Sequence, residues 1–360
     1  MDDGVGGGGG ISRDASALTI ADCDGSGTDN PGGSTAECDS FCTWEQDYDD
    51  SAVCDMRDVC ASSTTAGTFY ATLNSTTAAT GDYVAWGTCG NLSFCCLIQD
   101  DATTPELDKL GLHGWDGDDH LSFRYDTNTY LAPVKSNDNI NGYLWGDAGD
   151  DSLTGSESNR ADDVIDGGSG TDVIACWGGE DIVSGGAGGD FISGGLGVDV
   201  LNGNGGDDFI GGGDAGDIID GEDGEDFLCG GDLSSLTSSA TCEIATNDFG
   251  DTIHGGDDDD QVDGGDGDDF LYGDAGMDVL RSGDGSDELS GGGEGDLLCA
   301  TQSTNPGMMD QKVLQGGAGN DQMQFSSAYS MTVTMIGGDG TDGCDPQQSC
   351  ESSFTSSCTP

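Results

Sequence analysis

The sequence predicts an all-β solenoid that folds around bound cations, and three observations support this prediction. The chain has 360 residues, of which 66 are Gly. Its 70 Asp plus Glu against 8 Lys plus Arg give a formal charge of −62, and self-repulsion of that size opposes compaction unless positive charge is bound. Gly, Asp and an apolar residue also recur together in a frame of nine residues. Disordered low-complexity sequence has no reason to keep such a phase, so the frame indicates a packed repeat.

The nine-residue frame is read directly from the sequence. One block starts at Gly167 with GGSGTDVIA, CWGGEDIVS and GGAGGDFIS, and a second block starts at Gly255. Single copies begin at Gly114, Gly146, Gly316 and Gly337. The eighth position is aliphatic or Met in every copy except the last, which has Cys344. The sixth position is always Asp: Asp119, Asp151, Asp163, Asp172, Asp181, Asp190, Asp199, Asp208, Asp217, Asp226, Asp251, Asp260, Asp269, Asp278, Asp287, Asp296, Asp321 and Asp342.

Each part of the frame has a physical interpretation. The first six residues are rich in Gly, which tolerates positive φ, so they can form a tight turn that exposes backbone carbonyls. The last three can form a short strand, with the eighth residue pointing inward and the seventh and ninth outward. Carboxylates and carbonyls are the oxygen ligands that Ca²⁺ takes, in sets of six to eight. The sixth-position Asp residues are therefore candidate calcium ligands.

The pattern resembles the RTX nonapeptide repeat, G-G-x-G-x-D-x-U-x, over roughly residues 114–345. The resemblance implies a right-handed parallel β-roll with two repeats per coil and Ca²⁺ held in the turns. Stacked turns would then lie 18 residues apart in sequence, and roughly ten ions are expected. RTX-type rolls often follow a protease or lipase domain, but this sequence contains neither H-E-x-x-H nor G-x-S-x-G.

The rest of the chain predicts a small module and several loops. Eight Cys lie between Cys23 and Cys96, in a region rich in Ser, Thr and aromatic residues, which favours a disulfide-stapled β module. Cys229 with Cys242, and Cys350 with Cys358, are expected to pair. The predicted organisation is the Cys-rich module at 1–110, the roll at 111–345 with insertions at 123–136, 233–249 and 300–315, and a Cys-containing tail at 346–360.

Two apolar ladders occupy the outward-facing seventh position at 18-residue spacing. They are Val173, Phe191, Phe209 and Phe227, and Val164, Ile182, Val200 and Ile218. One interpretation is that β-branched and aromatic residues simply suit strands. The other is that these faces are interfaces, covered by the N-terminal region, by an insertion or by another chain. For the second interpretation the candidate interface residues are Phe191, Phe209, Phe227, Ile182, Val200 and Ile218.

These observations together predict a class of function. The acidic surface argues against nucleic acid and anionic membranes, and no run of about 18 apolar residues is present to span a membrane. The Cys content favours an extracellular or cell-surface location. We expect a non-enzymatic, calcium-binding structural rod that serves in self-assembly, in a surface layer or filament, or in adhesion. Its expected partners are calcium, a second copy of the chain, or a cell-surface or matrix polymer. The alternatives are an RTX-tailed secreted hydrolase or toxin, and a calcium-dependent carbohydrate-binding module.

Overall fold

A computed structural model gives the structure of the protein. It describes residues 42–45, 51–55, 67–73, 83–89, 92–98, 109–113, 120–122, 141–156, 161–238, 240–243, 249–300, 310–325 and 332–345. Every regular element in these ranges is a β-strand. Within them, no helix has the length and apolar character needed to cross a membrane. The chain divides into two compact units, residues 1–182 and 183–360.

The first unit is built from two sheets. Its strands are β1 (Cys42–Glu45), β2 (Ser51–Asp55), β3 (Gly67–Leu73), β4 (Tyr83–Cys89), β5 (Leu92–Ile98), β6 (Lys109–His113), β7 (His120–Ser122), β8 (Asn141–Ala148), β9 (Ser152–Thr154), β10 (Val164–Ser169) and β11 (Val173–Gly178). One sheet has the order β1-β2-β6-β8-β10 and the other β5-β4-β3-β7-β9-β11. Antiparallel pairs occur at β1–β2, β3–β4 and β4–β5, and the strands from β6 onward pair in parallel. The strands before residue 110 therefore continue the two sheets of the repeat region.

The second unit carries two parallel sheets and one hairpin. Its strands are β12 (Ile182–Ala187), β13 (Phe191–Leu196), β14 (Val200–Gly205), β15 (Phe209–Asp214), β16 (Ile218–Asp223), β17 (Phe227–Cys229), β18 (Asp232–Leu233), β19 (Cys242–Glu243), β20 (Thr252–Asp257), β21 (Gln261–Asp263), β22 (Phe270–Ala275), β23 (Val279–Arg281), β24 (Glu288–Gly292), β25 (Leu297–Ala300), β26 (Gln311–Gly319), β27 (Gln322–Phe325), β28 (Thr332–Gly340) and β29 (Gly343–Asp345). One sheet has the order β12-β14-β16-β20-β22-β24-β26-β28, and the other β13-β15-β17-β21-β23-β25-β27-β29.

The strand pairing confirms a parallel β-solenoid with two repeats per coil. Successive strands alternate between the two sheets, so the next strand in the same sheet lies two repeats later. Phe191 of β13 pairs with Phe209 of β15, and Val200 of β14 pairs with Ile218 of β16. These partners are 18 residues apart, as the resemblance implied.

The core of both units is the stack of eighth-position side chains. Residues such as Ile174, Ile192, Leu228 and Leu280 are completely buried, and the seventh-position residues beside them are half-buried or exposed. The predicted inward direction of the eighth residue is confirmed. The strands are longer than the predicted three residues, because most run through positions seven to nine and on through one to three. The pairing skips only the first position and resumes at the second, as at Gly195 with Gly213.

Positive φ angles explain where Gly is needed. The second position has φ of +107° at Gly195 and +114° at Gly213, and the fourth has φ of +121° at Gly197. Gly adopts such angles without a steric penalty. Some repeats have another residue at the second position, and that residue adopts a positive φ at a conformational cost. Asn204 has φ of 76° and Trp177 has φ of 74°.

An insertion closes into a stapled hairpin beside one sheet. Strands β18 and β19 pair antiparallel, and a disulfide joins Cys229 to Cys242 with Cα atoms 5.6 Å apart, which confirms that predicted pair. A second insertion lies between Ala300 and Gln311, where β25 ends and β26 begins. The insertion predicted at 123–136, the tail at 346–360 and the pair Cys350–Cys358 lie outside the described residues. The predicted domain limits remain predictions.

The inward and outward directions can be tested with two neighbouring isoleucines of β16. Ile219 is completely buried, whereas Ile218 is 48 % exposed. At saturating calcium, Ile219→Ala should lower the free energy of unfolding by about 2–4 kcal/mol because it leaves a cavity. Ile218→Ala is the matched control and should cost under about 1 kcal/mol. Urea denaturation measures both, and equal losses would contradict the assigned core.

Candidate calcium sites

The sixth-position Asp residues form buried rows along the turns. Those from Asp151 to Asp321 are each exposed by 2 % or less. Asp342 is half-buried, and Asp119 lies outside the described residues. Ionised carboxylates are costly to bury unless they are paired or coordinate a metal. Their burial therefore requires a compensating interaction at each turn.

One oxygen of each carboxylate has a backbone partner in the neighbouring coil. The N–H of Asp190 donates to Oδ1 of Asp208 at 2.7 Å, and the N–H of Asp208 donates to Oδ1 of Asp226 at 2.8 Å. The same contact crosses the hairpin insertion, where the N–H of Asp226 donates to Oδ1 of Asp260 at 2.9 Å over 34 residues. Insertions therefore leave the stacking of the turns intact.

The second oxygen is left for another partner. Among the described residues, buried Oδ2 atoms without any hydrogen bond belong to Asp208, Asp226, Asp251, Asp260, Asp278, Asp296 and Asp321. An unsatisfied buried acceptor costs about 1–3 kcal/mol, and more when it is charged. A row of such atoms is what the ligands of a bound cation would present.

The first-position Gly forms a cradle around this oxygen. A Cβ atom placed on Gly255 would lie 2.7 Å from the carbonyl oxygen of Gly273 and still closer to Oδ2 of Asp260. A Cβ atom on Gly185 would lie 2.6 Å from Oδ2 of Asp190 and 2.9 Å from the carbonyl oxygen of Gly203. A carboxylate oxygen from one repeat and a carbonyl oxygen from the next coil therefore converge where Gly leaves space. Both are oxygen types that Ca²⁺ takes.

Backbone carbonyls must supply much of any calcium shell. The described residues contain no cluster of three or more His, Cys, Asp or Glu side chains arranged to hold a metal ion. One Asp per turn with carbonyls from stacked turns fits a hard cation that accepts neutral oxygens. It does not fit zinc, which takes nitrogen and sulfur ligands in tetrahedral sets. The sixth-position Asp residues and first-position carbonyls would hold the ion, and the ion would neutralise the buried carboxylates.

The electrostatics of the row agree with this assignment. Burial raises the pKa of Asp208 to about 8, opposed by its hydrogen bond from Asp190 and increased by the nearby charges of Asp226, Asp190 and Asp207. Burial likewise raises the pKa of Asp260 to about 8 and that of Asp251 to about 7. Without a cation, these carboxyl groups hold protons more strongly than ordinary Asp does.

A second ladder, at the fifth position, was not predicted from the sequence. Oδ1 of Asp207 accepts from the N–H of Glu225 at 3.2 Å, and Oδ1 of Asp259 accepts from the N–H of Met277 at 2.8 Å. Asn320 makes the same contact with Thr341 at 2.9 Å. This ladder is exposed and runs in the opposite direction to the buried one. The recurrent Asp-Asp at positions five and six was the available signal.

Some repeats lack a sixth-position Asp and were also missed, among them those that contain Leu144 and Leu314. Leu144 and Leu314 are completely buried, like the eighth-position residues. Their sixth positions hold Gly142 and Lys312. The N–H of Gly142 donates to Oδ1 of Asp163 at 2.6 Å, and Lys312 contacts Asp287. The Leu-x-Gly sequence that ends each of these repeats was the remaining signal.

The predicted interface residues lie on the outward faces. Phe191, Phe209 and Phe227 are half-buried and stack with ring centroids 5.2 and 5.7 Å apart. The stapled hairpin lies at the end of this ladder, where Phe227, Ala240 and Cys242 line one pocket. On the other sheet, Ile218 and Phe270 are 48 % and 47 % exposed and pair with Thr252 between them. Ile182, the first residue of β12, is also exposed.

Comparison with known families agrees with this geometry. Stacked parallel coils with buried carboxylates at their turns define a calcium-binding β-roll. A family model described as the RTX calcium-binding nonapeptide repeat matches residues 136–174, 145–183, 178–210, 202–232, 246–280 and 268–298. The repeat region within residues 136–298 therefore belongs to the RTX calcium-binding nonapeptide repeat family. No curated protein matches the chain.

Replacement of one buried carboxylate tests the assigned ligands. Asp226→Asn should reduce the calcium content by about one ion per chain. The N–H of Asp208 holds the oxygen at the Oδ1 position, so the amide nitrogen, which cannot bind a cation, takes the place of Oδ2. Asp207→Asn is the control, since Asn320 shows that an amide oxygen maintains the fifth-position ladder. Equilibrium dialysis followed by elemental analysis gives the content. Equal content in Asp226→Asn and the unmodified chain would contradict the assignment.

Acidification should partly replace calcium. Because the folded pKa of Asp208 and Asp260 lies near 8 and the ordinary value is 3.8, the calcium-free folded chain binds more protons than the unfolded chain between about pH 4 and 8. Its free energy of unfolding then falls as pH rises through that window. In a calcium chelator, the chain should be more compact and richer in strand at pH 5.5 than at pH 9. Circular dichroism and hydrodynamic radius measure this, and equal expansion at both pH values would refute it.

Proposed function

We propose that this protein is a non-enzymatic, extracellular structural protein whose calcium-loaded roll associates with further copies of itself. The RTX repeats bind calcium. About ten ions is the number that we propose for the chain, one for most pairs of stacked turns. The observation that carries the assembly proposal is a row of outward-facing side chains on a regular parallel sheet, in which the apolar Ile218 and Phe270 are exposed.

Calcium supports a structural role because it completes the fold itself. An empty turn leaves buried oxygens such as Oδ2 of Asp226 and Asp260 without a partner, and a bound ion satisfies them. Binding energy of a metal at a site that exists only in the folded chain is folding energy. We expect the roll to lose its strand structure when calcium is chelated.

The exposed row supports self-association. Val200, Ile218, Thr252 and Phe270 follow one another across neighbouring strands of one sheet. Ile218 and Phe270 are exposed, whereas Val200 and Thr252 are half-buried. Contiguous exposed apolar surface marks interaction sites in soluble proteins. A second copy suits this row better than a basic partner, because the apolar side chains match each other and the acidic turns stay in solvent.

The disulfide supports the proposed extracellular location, and the sequence supports the proposed non-enzymatic role. The Cys229–Cys242 bond is typical of oxidising compartments, and RTX repeats are typical of secreted proteins. The sixth-position carboxylates recur at a regular spacing that places them in the turns of the roll. The sequence contains neither the H-E-x-x-H motif of proteases nor the G-x-S-x-G motif of lipases. His254, the one histidine whose side chain the structure describes, stacks on Tyr272 and contacts Asp274 at 2.8 Å on the outer surface.

Polar substitution of the exposed residues Ile218 and Phe270 tests self-association. The double variant Ile218→Thr with Phe270→Thr should lower the sedimentation coefficient of the calcium-loaded protein to that of a monomer, because Thr suits strands but removes apolar contact area. Met277→Ser is the matched control, since Met277 is 54 % exposed but lies on a turn. Calcium content should be unchanged in both variants. The proposal fails if the unmodified protein stays monomeric at saturating calcium, or if the double variant assembles as the control does.

A further inference from the structure

A buried lysine lies at the calcium-binding turns of one coil. Lys312 of β26 is 1 % exposed and belongs to the largest fully buried side chains of the described residues. Its Nζ donates to Oδ2 of Asp287 and to the carbonyl oxygen of Gly283, the latter at 2.8 Å. The side chains of Lys312 and Asp287 are both fully buried. The chain has only 8 Lys plus Arg, so a buried cation in a turn is unusual for this protein.

The strand register identifies the position that Lys312 takes. Glu288 of β24 pairs with Val313 of β26, and Leu289 pairs with Leu314. Lys312 precedes Val313 as Asp287 precedes Glu288, so it stands at the sixth position of its repeat. A cation therefore replaces the carboxylate that the other repeats carry there.

A second substitution accompanies the lysine. The first position of the Asp287 repeat is Ser282, where most repeats have the Gly that leaves the cradle open. The Ser282 hydroxyl hydrogen-bonds to the Asp287 carboxylate. Oδ1 of Asp287 accepts from the N–H of Asp269 at 3.1 Å. Both oxygens of Asp287 therefore have protein partners, whereas Oδ2 of Asp278 and of Asp296, nine residues before and after, have none.

We infer that the Lys312 ammonium takes the place of a calcium ion at Asp287, so that this turn does not bind calcium. The ammonium uses a carboxylate oxygen and a carbonyl oxygen, which are the ligand types that calcium needs. A positive charge already at this position repels a second cation, and one ammonium compensates the single negative charge of the buried carboxylate. The inference rests on calcium binding at the other turns, as proposed above.

The lysine also ends one of the two rows of sites. In its sheet, the sixth position continues from Asp287 to Lys312 and then to Val333, which pairs with Lys312. In the other sheet the row continues through Asp296, Asp321 and Asp342, with Asp321 accepting from the N–H of Asp296 at 3.0 Å. Beyond Asp287, calcium sites are therefore confined to the turns of one sheet.

Calcium content of three full-length variants tests this inference. Asp278→Asn, the matched control with an open cradle at Gly273, should lose at least one ion per chain. Asp287→Asn should lose none, because its turn holds an ammonium. Lys312→Asp should gain one ion, because it restores a carboxylate and removes the competing cation. Circular dichroism at saturating calcium checks that each variant is folded.

The outcomes separate this inference from the proposed function. If Asp287→Asn loses an ion as Asp278→Asn does, Lys312 does not replace calcium. If Asp287→Asn fails to fold, the calcium content of Lys312→Asp is the test. An unchanged calcium content in Lys312→Asp overturns the inference. Retention of all ions by Asp278→Asn would instead contradict calcium binding at the sixth position.

Discussion

The structure depends on compensating a row of buried carboxylates. Each coil places an Asp such as Asp208 or Asp226 out of contact with water, with one oxygen held by a backbone N–H and the other facing a Gly cradle. Desolvation and neighbouring like charges raise the pKa of Asp208 to about 8, so the row is unfavourable when ionised and alone. A divalent cation bound at such a turn would remove this cost, and at Asp287 the Lys312 ammonium supplies the positive charge instead. The charge of −62 is then divided between compensated turns and a solvated exterior.

One nine-residue unit has to satisfy several requirements together. Its eighth residue fills the core, its second and fourth residues adopt positive φ, and its first residue leaves space beside the carboxylate. A substitution at one position of the repeat therefore has to be compensated by a substitution at another position. Ser282 and Lys312 are such a pair, since the first narrows the cradle at Asp287 and the second supplies the charge that the turn still needs.

The outward-facing positions are less constrained than the core and turn positions, so their side chains can differ from one coil to the next. The stapled hairpin closed by Cys229 and Cys242 leaves the stacking of the coils intact, as the contact between Asp226 and Asp260 shows. Phe191 and its neighbours stack along one sheet, whereas Ile218 and Phe270 remain exposed on the other. The same core can therefore carry different surfaces, and the exposed row is where association with a second copy would be decided.

The sequence alone determined the features that repeat at constant spacing. The sixth-position Asp and the inward eighth residue follow from a nine-residue count, because a solenoid converts sequence period directly into spatial neighbours. The 18-residue stacking follows from the two repeats per coil that the RTX resemblance implied. Only the tertiary structure revealed the coils that contain Leu144 and Leu314, the six-residue strands and the contact between Lys312 and Asp287. Insertions interrupt the nine-residue spacing in the sequence, whereas the pairing of strands in the structure shows which repeats align on either side of an insertion. A lysine at a carboxylate position is therefore recognisable only once the strands that align it are known.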